Sequence, residues 1–450
     1  MSEIFIQDEN SIRKEVLDKV KEIYRVRKES ENFIEGKTKI HYSGRVFDEN
    51  EMVAVVDSAL DFWLTLGRKS IEFTDAFKNF LGIKNCLVTN SGSSANLIAV
   101  SSLCSRQLIN PLNDGDEVIT TAVTFPTTLN PLIQNNLKPV FVDVEQGTYN
   151  IDPKLIEQAI TDKTRAIIFA HTLGNPADMD AIMEIAEKNK LYIIEDTCDA
   201  LGSTYDGGFC GTFGDFSTYS FYAAHHITMG EGGAICTNNP ELSRIALSIR
   251  DWGRACYCQQ DEKNPNGACN HRFDFKFGNM PEGYDHKYIY TNIGYNLKPL
   301  DIQCAMGIKQ LEKLPVFIQK RKENFKKLYN CLKKYEDKVI LPRSYKKADP
   351  AWFSFPITVR DNVGFTRRDF VRFLESRGIE TRMLFAGNIL NQPAYKNINH
   401  KIVGELSNST QVLSSTFFIG VYPGITTEMM DYMISTIEDF FKNIATGLKI

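Results

Sequence analysis

The sequence contains no stretch long and apolar enough to span a membrane, and no long block of lysine and arginine residues. The first absence argues against a membrane protein. The second, together with a formal net charge of −4, leaves no electrostatic footprint for nucleic acid. The amino-terminal segment also lacks the basic region and apolar core of an export signal. We therefore expect a cytoplasmic protein without membrane or nucleic-acid partners.

Internal repeats, low-complexity tracts and a Gly-x-Gly-x-x-Gly dinucleotide fingerprint are absent as well. The composition that remains is that of a globular protein: 450 residues, of which 43% are hydrophobic and 24% are charged. A chain of this size can form a large core and more than one domain. We predict a helical segment over residues 1–40, a large domain over 41–314 and a small domain over 315–450.

Short β-rich runs alternate with helical stretches in the first half of the chain. The predicted strands are residues 85–89, 117–123, 139–144, 165–171, 191–195 and 217–221. This alternation predicts an α/β architecture with a mainly parallel sheet covered by helices. Ligands bind at the strand ends of such sheets. Further on, a helical pattern over 299–335 is expected to break at Pro315, and the remaining segments suit an α+β domain.

Two predicted strands end in residues suited to ligand binding. Gly92, Ser93 and Ser94 open a helical run, where small residues let backbone amides approach a phosphate. Asp196 ends another strand, where a buried carboxylate needs a partner such as a protonated pyridine nitrogen. Residues of both kinds also cap helices in proteins that bind no ligand, so neither motif decides alone.

Residues 220–233 read Ser-Phe-Tyr-Ala-Ala-His-His-Ile-Thr-Met-Gly-Glu-Gly-Gly. This segment resembles the cofactor anchor of sugar aminotransferases that use pyridoxal phosphate, in which Ser-Phe-x-x-x-Lys precedes Gly-Glu-Gly-Gly. His225 stands at the lysine position. An imidazole forms no Schiff base with the cofactor aldehyde, but it moves protons near neutral pH. His225 is the predicted catalytic base, with a core histidine as the alternative, and His226 is predicted to be structural.

Five motifs occur along the chain in the order found in the DegT/DnrJ/EryC1/StrS family, which the sequence resembles from about residue 39 to its end. They are Gly92-Ser93-Ser94, Phe125 within residues 121–128, residues 171–174, Glu195-Asp196 and residues 220–233. The resemblance implies the α/β fold-type I architecture of pyridoxal phosphate enzymes, with a mainly parallel, seven-stranded central sheet and a smaller C-terminal α+β domain.

The resemblance also implies a set of cofactor-binding residues. They are Gly92, Ser93, Ser94, Phe125, Asp196, Asp199, Ser220 and Asn296. Gly92, Ser93 and Ser220 would hold the phosphate and Phe125 would stack on the ring, while Asp196 would face the pyridine nitrogen. Asn296 would reach a phosphate across the interface of a homodimer or higher oligomer.

Residues 221–230, 283–288 and 378–388 are similar to a narrower group, the iron–sulfur 3-dehydratases of deoxysugar synthesis. That group holds pyridoxamine 5′-phosphate, a form interconvertible with pyridoxal phosphate, without a covalent bond. The resemblance implies C3 dehydration of a nucleotide-linked 4-keto-6-deoxyhexose in 3,6-dideoxyhexose and lipopolysaccharide O-antigen synthesis. We expect CDP-4-keto-6-deoxy-D-glucose as substrate, with TDP and GDP sugars left open. His286 and Arg382 are candidate substrate contacts.

Four of the ten cysteines follow the spacing Cys-x57-Cys-x-Cys-x10-Cys: Cys198, Cys256, Cys258 and Cys269. Four thiolates suffice for a [2Fe-2S] cluster and equally for a structural zinc ion. The resemblance favours iron, although the last spacing is slightly longer than in the family. Because the chain has no dinucleotide fingerprint, the resemblance implies a separate NADH-dependent flavin and iron–sulfur reductase as electron donor.

Two alternatives remain open. One is a 3-dehydratase without a cluster that regenerates its pyridoxamine phosphate with glutamate. The other is a non-catalytic protein that keeps the cofactor fold as a binding or regulatory module. An ordinary aminotransferase is disfavoured because no lysine lies at the anchor position.

Overall fold

The computed structural model describes residues 8–29, 32–256, 258 and 271–447. Of the predicted site residues, Cys269 lies outside these ranges. Within them, every helix is too short or too polar to cross a membrane.

The helices and strands follow one another along the chain in the α/β order that the sequence predicts. The helices are α1 Glu9–Glu29, α2 Glu49–Leu60, α3 Arg68–Leu81, α4 Gly92–Leu103, α5 Pro126–Gln134, α6 Pro153–Ala159, α7 Met179–Asn189, α8 Pro240–Arg250, α9 Asp301–Leu332, α10 Arg367–Ser376, α11 Ser407–Ser415 and α12 Thr427–Ala445. The strands are β1 Asn85–Thr89, β2 Glu117–Thr121, β3 Lys138–Val142, β4 Thr164–Ala170, β5 Tyr192–Asp196, β6 Thr204–Tyr205, β7 Gly208–Phe209, β8 Phe216–Ser220, β9 Gly233–Thr237, β10 Val339–Ile340, β11 Ala348–Asp349, β12 Ser354–Val359, β13 Thr381–Met383, β14 Lys401–Ile402 and β15 Thr416–Gly420.

The central sheet has the strand order β1-β9-β8-β5-β4-β2-β3-β14. Strands β8, β5, β4, β2, β3 and β14 run parallel, whereas β9 is antiparallel to both of its neighbours. The predicted mainly parallel, seven-stranded sheet is therefore confirmed. The short edge strand β14, contributed by a much later segment, adds an eighth strand.

Helices cover both faces of this sheet, and the strand residues alternate between two hydrophobic clusters. Ile168 and Ile194 pack on the face covered by α4, α5 and α8, whereas their neighbours Ile167 and Ile193 pack beneath α6 and α7. Because both faces are buried, the strands consist of nearly continuous apolar runs. This arrangement leaves the strand ends as the place where polar groups can gather.

A second, antiparallel sheet has the order β10-β12-β15-β13 and packs against α9, α10 and α12. The predicted break at Pro315 is wrong, because α9 runs through this proline without interruption. Leu311, Leu314 and Phe317 on either side of it are buried, and their packing outweighs a helix penalty of about 3 kcal/mol. The proposed domain boundary at residues 314 and 315 thus falls inside a continuous helix and stays a proposal.

Asp301, the first residue of α9, also caps the start of α3. Its carboxylate accepts hydrogen bonds from the backbone N–H groups of Gly67, Lys69 and Ser70 at 2.9, 3.1 and 2.8 Å. The N-cap of α3 is Gly67, which offers no side chain, so an acceptor from a distant part of the sequence satisfies these donors.

We expect Asp301→Ala to lower the free energy of unfolding by about 1–3 kcal/mol, because buried backbone donors of α3 lose their acceptor. Denaturant titration followed by circular dichroism measures the change. Asp75→Ala on the same helix is the control, since this exposed side chain pairs only with Lys78 and its loss should change stability by at most about 0.5 kcal/mol. Equal stability of the two variants would contradict the capping role.

Candidate active site

A cavity of about 290 Å³ opens at the carboxyl ends of the parallel strands, beside the start of α4. Nine of the predicted site residues line it: Gly92, Ser93, Phe125, Asp196, Cys198, Asp199, Ser220, His225 and Arg382. Polar groups converge here because Asp196 and Ser220 end neighbouring strands, and the first turn of α4 lies next to them. The fold therefore brings together motifs that are more than 100 residues apart in the sequence.

The first turn of α4 approaches strand β8 so closely that only glycine fits at residue 92. A Cβ atom on Gly92 would lie 2.7 Å from Ser220 Cβ and 2.9 Å from Cys198 Sγ. The amide groups of this helix start carry a positive partial charge, which suits a phosphate group. Ser94 is not among the lining residues, and its hydroxyl is bonded to Ser91 Oγ at 3.0 Å.

The carboxylate of Asp196 is fixed by donors from three directions. Oδ2 accepts hydrogen bonds from Asn96 Nδ2 at 2.8 Å and from Thr128 Oγ1 at 2.7 Å, and Oδ1 accepts one from the backbone N–H of Cys198. Thr218 in turn donates to Asn96 Oδ1 at 2.7 Å. The sequence predicts the carboxylate but misses these supporting side chains, because no local pattern links them to it.

His225 lies in the cavity wall beside Asp199. Its Nδ1 atom is 3.3 Å from Asp199 Oδ1, within ion-pair range, and its ring packs against Phe353 with centroids 5.5 Å apart. The adjacent His226 is buried, and its Nε2–H donates to the carbonyl of Ala351 at 2.7 Å. Burial lowers the pKa of His226 well below its usual value, so this ring stays neutral. Of the two imidazoles, only His225 lines this cavity.

Aromatic side chains from several segments form another part of the cavity wall. Phe125, half exposed, meets Phe385 edge to face with ring centroids 6.1 Å apart. Tyr42, Phe353 and Phe418 complete this wall. Phe125 was predicted from its motif, whereas the others come from distant segments with no signal of their own.

Arg382 enters the cavity from strand β13 of the second sheet. Its guanidinium lies 4.5 Å from the centroid of the Tyr42 ring and donates to Glu380 Oε1 at 2.6 Å. Burial of Glu380 opposes its ionisation, but hydrogen bonds from Arg382 and His41 outweigh that effect and lower the pKa of Glu380 to about 2. The arginine is therefore held by an ionised partner at physiological pH.

Asn296 and His286, a predicted cofactor contact and a predicted substrate contact, also lie outside the cavity wall. Asn296 is not part of the cavity wall, and its Oδ1 accepts a hydrogen bond from Lys298 Nζ at 2.7 Å. Its role across a subunit interface stays a prediction. His286 lies outside the cavity and close to Cys258, so the structure does not place it as a contact of a ligand in this pocket.

Three of the four cysteines predicted to hold a metal lie within the described residues. Cys198 lines the cofactor cavity, where loss of solvent and the Asp196 carboxylate raise the pKa of its thiol. Cys256 and Cys258 lie close to His286, and the donor atoms of the three residues are all within 4.8 Å of one another. The role of the four cysteines as metal ligands stays a prediction.

Fold and cavity together place the chain in a class, the fold-type I enzymes that depend on vitamin B6, and solved structures of the same architecture contain pyridoxal phosphate. More narrowly, the chain belongs to the DegT/DnrJ/EryC1/StrS aminotransferase family, whose model matches residues 46–438. The family prediction from the sequence motifs is confirmed.

Curated relatives match nearly the whole chain. The lipopolysaccharide biosynthesis protein RfbH of Salmonella typhimurium is 47% identical over 96% of this chain and 98% of its own length. A dTDP-4-dehydro-2,6-dideoxy-D-glucose 3-dehydratase of Saccharopolyspora spinosa is 48% identical over 94% of this chain and 91% of its own length.

Solved structures match in fold as well. An E. coli GDP-4-keto-6-deoxy-D-mannose-3-dehydratase with bound hydrated PLP shares 29% identity and a TM-score of 0.78, covering 89% of this chain and 99% of that one. A GDP-4-keto-6-deoxymannose-3-dehydratase with a trapped PLP-glutamate geminal diamine shares 29% identity and a TM-score of 0.79, covering 88% and 99%.

We expect Gly92→Ala to weaken binding of pyridoxamine phosphate at least about tenfold, because the added methyl group collides with Ser220 and Cys198. Titration of the cofactor followed by its absorbance measures the affinity. Ser94→Ala is the control, since its hydroxyl is already engaged by Ser91, and it should change the affinity by less than about threefold. Unchanged affinity in the glycine variant would contradict a phosphate site at this helix start.

Proposed function

We propose that the protein removes the C3 hydroxyl of a nucleotide-linked 4-keto-6-deoxyhexose, using pyridoxamine phosphate held without a covalent bond. The observation that carries the proposal is His225 in the cavity wall next to Asp199. The described residues that line this cavity include no lysine that could tether the cofactor. The names of the relatives support the same reaction class, since several are 3-dehydratases of nucleotide sugars.

The residues of the cavity fit this cofactor. The close approach of Gly92 to Ser220 forms a cradle that a single Cβ would fill, and Ser93 lies beside it in the wall. The fixed carboxylate of Asp196 suits a protonated pyridine nitrogen, and the half-exposed ring of Phe125 offers a face for stacking. Gly92, Ser93 and Ser220 would hold the phosphate. Asp196 would hold the pyridine nitrogen, and Phe125 would pack on the face of the ring.

When bound, the cofactor would supply an amine for the substrate ketone and a ring that accepts electrons. Asp196 would maintain the positive charge that makes the ring an electron acceptor. Nε2 of His225 would accept and return a proton, with the carboxylate of Asp199 lying 3.3 Å from Nδ1. The apolar wall around Phe353 and Phe418 limits the access of water.

We assign the nucleotide sugar to the side of the cavity that carries Arg382 and Tyr42. A guanidinium stacked on an aromatic ring and held by an ionised Glu380 suits a diphosphate group. CDP-4-keto-6-deoxy-D-glucose is our first choice of substrate because of the sequence signature. Two of the relatives are named for dTDP and GDP sugars, so activity assays with the CDP, dTDP and GDP sugars would identify the nucleotide.

The source of electrons separates two forms of the proposal. In the first, a [2Fe-2S] centre receives electrons from an NADH-dependent flavin and iron–sulfur reductase, and the proximity of Cys256 and Cys258 supports a metal centre. In the second, glutamate regenerates the cofactor amine, and the relative solved with a PLP-glutamate adduct supports this form. Iron and acid-labile sulfide content of the purified protein distinguishes the two. We propose a homodimer for either form.

We expect His225→Asn to lower dehydration by about 10²–10⁴-fold, because the proton carrier is lost while the groups that hold the cofactor remain. Mass spectrometry of the products measures dehydration, and a separate titration measures whether the cofactor still binds. His400→Asn is the control, since this histidine lies outside the cavity with its Nδ1 against the carbonyl of Ile398.

Borohydride treatment with pyridoxal phosphate tests the absence of a tether. The wild-type protein should form no stable linkage, whereas His225→Lys should form one because an amine then occupies the anchor position. A linkage to any lysine of the wild-type protein would overturn the proposed mechanism. Failure of the wild-type protein to release the C3 hydroxyl from all three nucleotide sugars would favour the non-catalytic alternative.

We expect Arg382→Ala to raise KM for the nucleotide sugar at least about tenfold with little change in kcat, because a charged contact to the substrate diphosphate is lost. Steady-state kinetics measure both constants. Arg377→Ala is the matched control, since this arginine also stacks on an aromatic ring, Phe373, but lies outside the cavity. Equal KM values for both variants would remove Arg382 from the substrate site.

A further inference from the structure

Phe385 lines the cofactor cavity with its backbone in a strained conformation. Its φ angle is +47°, in the left-handed region that residues with a Cβ atom rarely adopt. A bulky residue in this region costs stability that glycine would not. Of the residues other than glycine that the structure describes with such a backbone, only Phe385 lines this cavity. Strain that persists beside a functional site points to a role of the side chain in that site.

The chain on the carboxyl side of Phe385 keeps it in this conformation. The carbonyl of buried Leu384 accepts a hydrogen bond from Gly387 N–H at 2.9 Å, which closes a tight turn around Phe385. Gly387 packs so closely that a Cβ atom on it would lie 2.7 Å from a backbone atom of α11. Two residues further on, Ile389 N–H donates to the carbonyl of Ala122 at 3.0 Å. The turn is thus fixed to the core, and the ring of Phe385 has a fixed place in the wall.

Phe385 lies between two side chains that the proposed function already uses. It follows Arg382, which we assign to the substrate diphosphate, by three residues. Its ring meets that of Phe125, which we assign to the cofactor ring, with centroids 6.1 Å apart. A nucleotide sugar whose diphosphate lies at Arg382 must bring its hexose toward the cofactor. The hexose therefore passes along Phe385.

An aromatic ring suits this part of the substrate. A 6-deoxyhexose carries a methyl group on C5 in place of a hydroxymethyl group, so one edge of the sugar is apolar. Packing of that edge against the half-buried ring of Phe385 removes apolar surface from water. The ring offers no hydrogen-bond partner, so it disfavours a sugar that keeps the C6 hydroxyl.

We propose that Phe385 is a specificity-determining residue whose ring contacts the hexose of the nucleotide sugar. This inference rests on the proposed function, because it takes from it the substrate class and the assignments of Arg382 and Phe125. The strained backbone holds the ring where the sugar meets it. Phe385 takes no part in binding the nucleotide or the cofactor.

Binding to the protein loaded with pyridoxal phosphate tests this contact without turnover, because this form lacks the amine that reacts with the substrate ketone. Calorimetry compares the 4-keto-6-deoxyhexose linked to CDP, dTDP or GDP with the corresponding free nucleoside diphosphate. The ratio of the two affinities measures what the sugar adds. Phe385→Ala should lower this ratio at least about fivefold and leave the affinities for the free diphosphate and for the cofactor unchanged. Arg382→Ala should instead weaken binding of the free diphosphate and of the nucleotide sugar alike.

A second variant separates the ring from the backbone strain. Phe385→Gly loses the same ring as Phe385→Ala, but only glycine also relieves the left-handed strain. Both variants should therefore lower the affinity ratio equally, while the glycine variant melts about 1–3 °C above the alanine variant. Phe62 provides the matched control, since it is a phenylalanine with a φ angle of +52° that is exposed and lies outside the cavity. Phe62→Ala and Phe62→Gly should differ in melting temperature in the same way but keep the wild-type affinity ratio.

An unchanged affinity ratio in the Phe385 variants would overturn the proposal, and so would a loss of cofactor affinity, which would make the ring a support of Phe125 instead. The proposal also fails if the wild-type protein binds none of the three sugars more tightly than the free diphosphate. A Phe385→Gly variant that melts no higher than Phe385→Ala would contradict the role of strain. Dehydration is assayed separately with pyridoxamine phosphate. Tighter binding of the sugar without loss of its C3 hydroxyl would count against the proposed function and not against the contact with Phe385.

Discussion

The buried carboxylate of Asp196 is the constraint on which the candidate site depends. A carboxylate at the end of an interior strand is costly unless hydrogen bonds and a positive partner compensate it. Asn96, Thr128 and the backbone of Cys198 provide the hydrogen bonds. They come from α4, α5 and the segment after β5, so satisfying one anion fixes three elements relative to one another. In the proposed function, the protonated cofactor ring would supply the remaining compensation.

The second sheet is joined to this site through buried Arg321 of α9. Its guanidinium donates to the carbonyl oxygens of Phe353 at 2.9 Å and of Trp352 and His225 at 3.3 Å. These hydrogen bonds compensate the burial of the cation and hold two backbone segments, at residues 225 and 352–353, against α9. The segment that carries His225 is thereby held against the wall that closes the cavity.

The sequence predicts most of the central sheet and the inner face of the site, because the signals for both lie in short, contiguous stretches of the chain. Buried strands such as β1 and β5 are short apolar runs between turn signals, and Gly92, Asp196 and His225 lie in contiguous motifs. The sequence-based predictions fall short where packing between residues far apart in the chain determines the structure. Pro315 stays helical because its neighbours are buried, and no local pattern identifies Asn96 and Thr128 as the side chains that hold Asp196.

Replacing lysine by histidine at the anchor position separates two tasks that one amine performs in the usual B6 enzyme. A lysine tethers the cofactor and also moves protons, whereas His225 can only move protons. The tether must then be replaced by non-covalent contacts, and the cradle at Gly92 and the fixed carboxylate of Asp196 are of the required kind. An untethered cofactor can carry its own amine to the substrate. Under the proposed function, this exchange of one side chain accounts for a reaction in which the cofactor brings its own amine and the substrate loses a hydroxyl group.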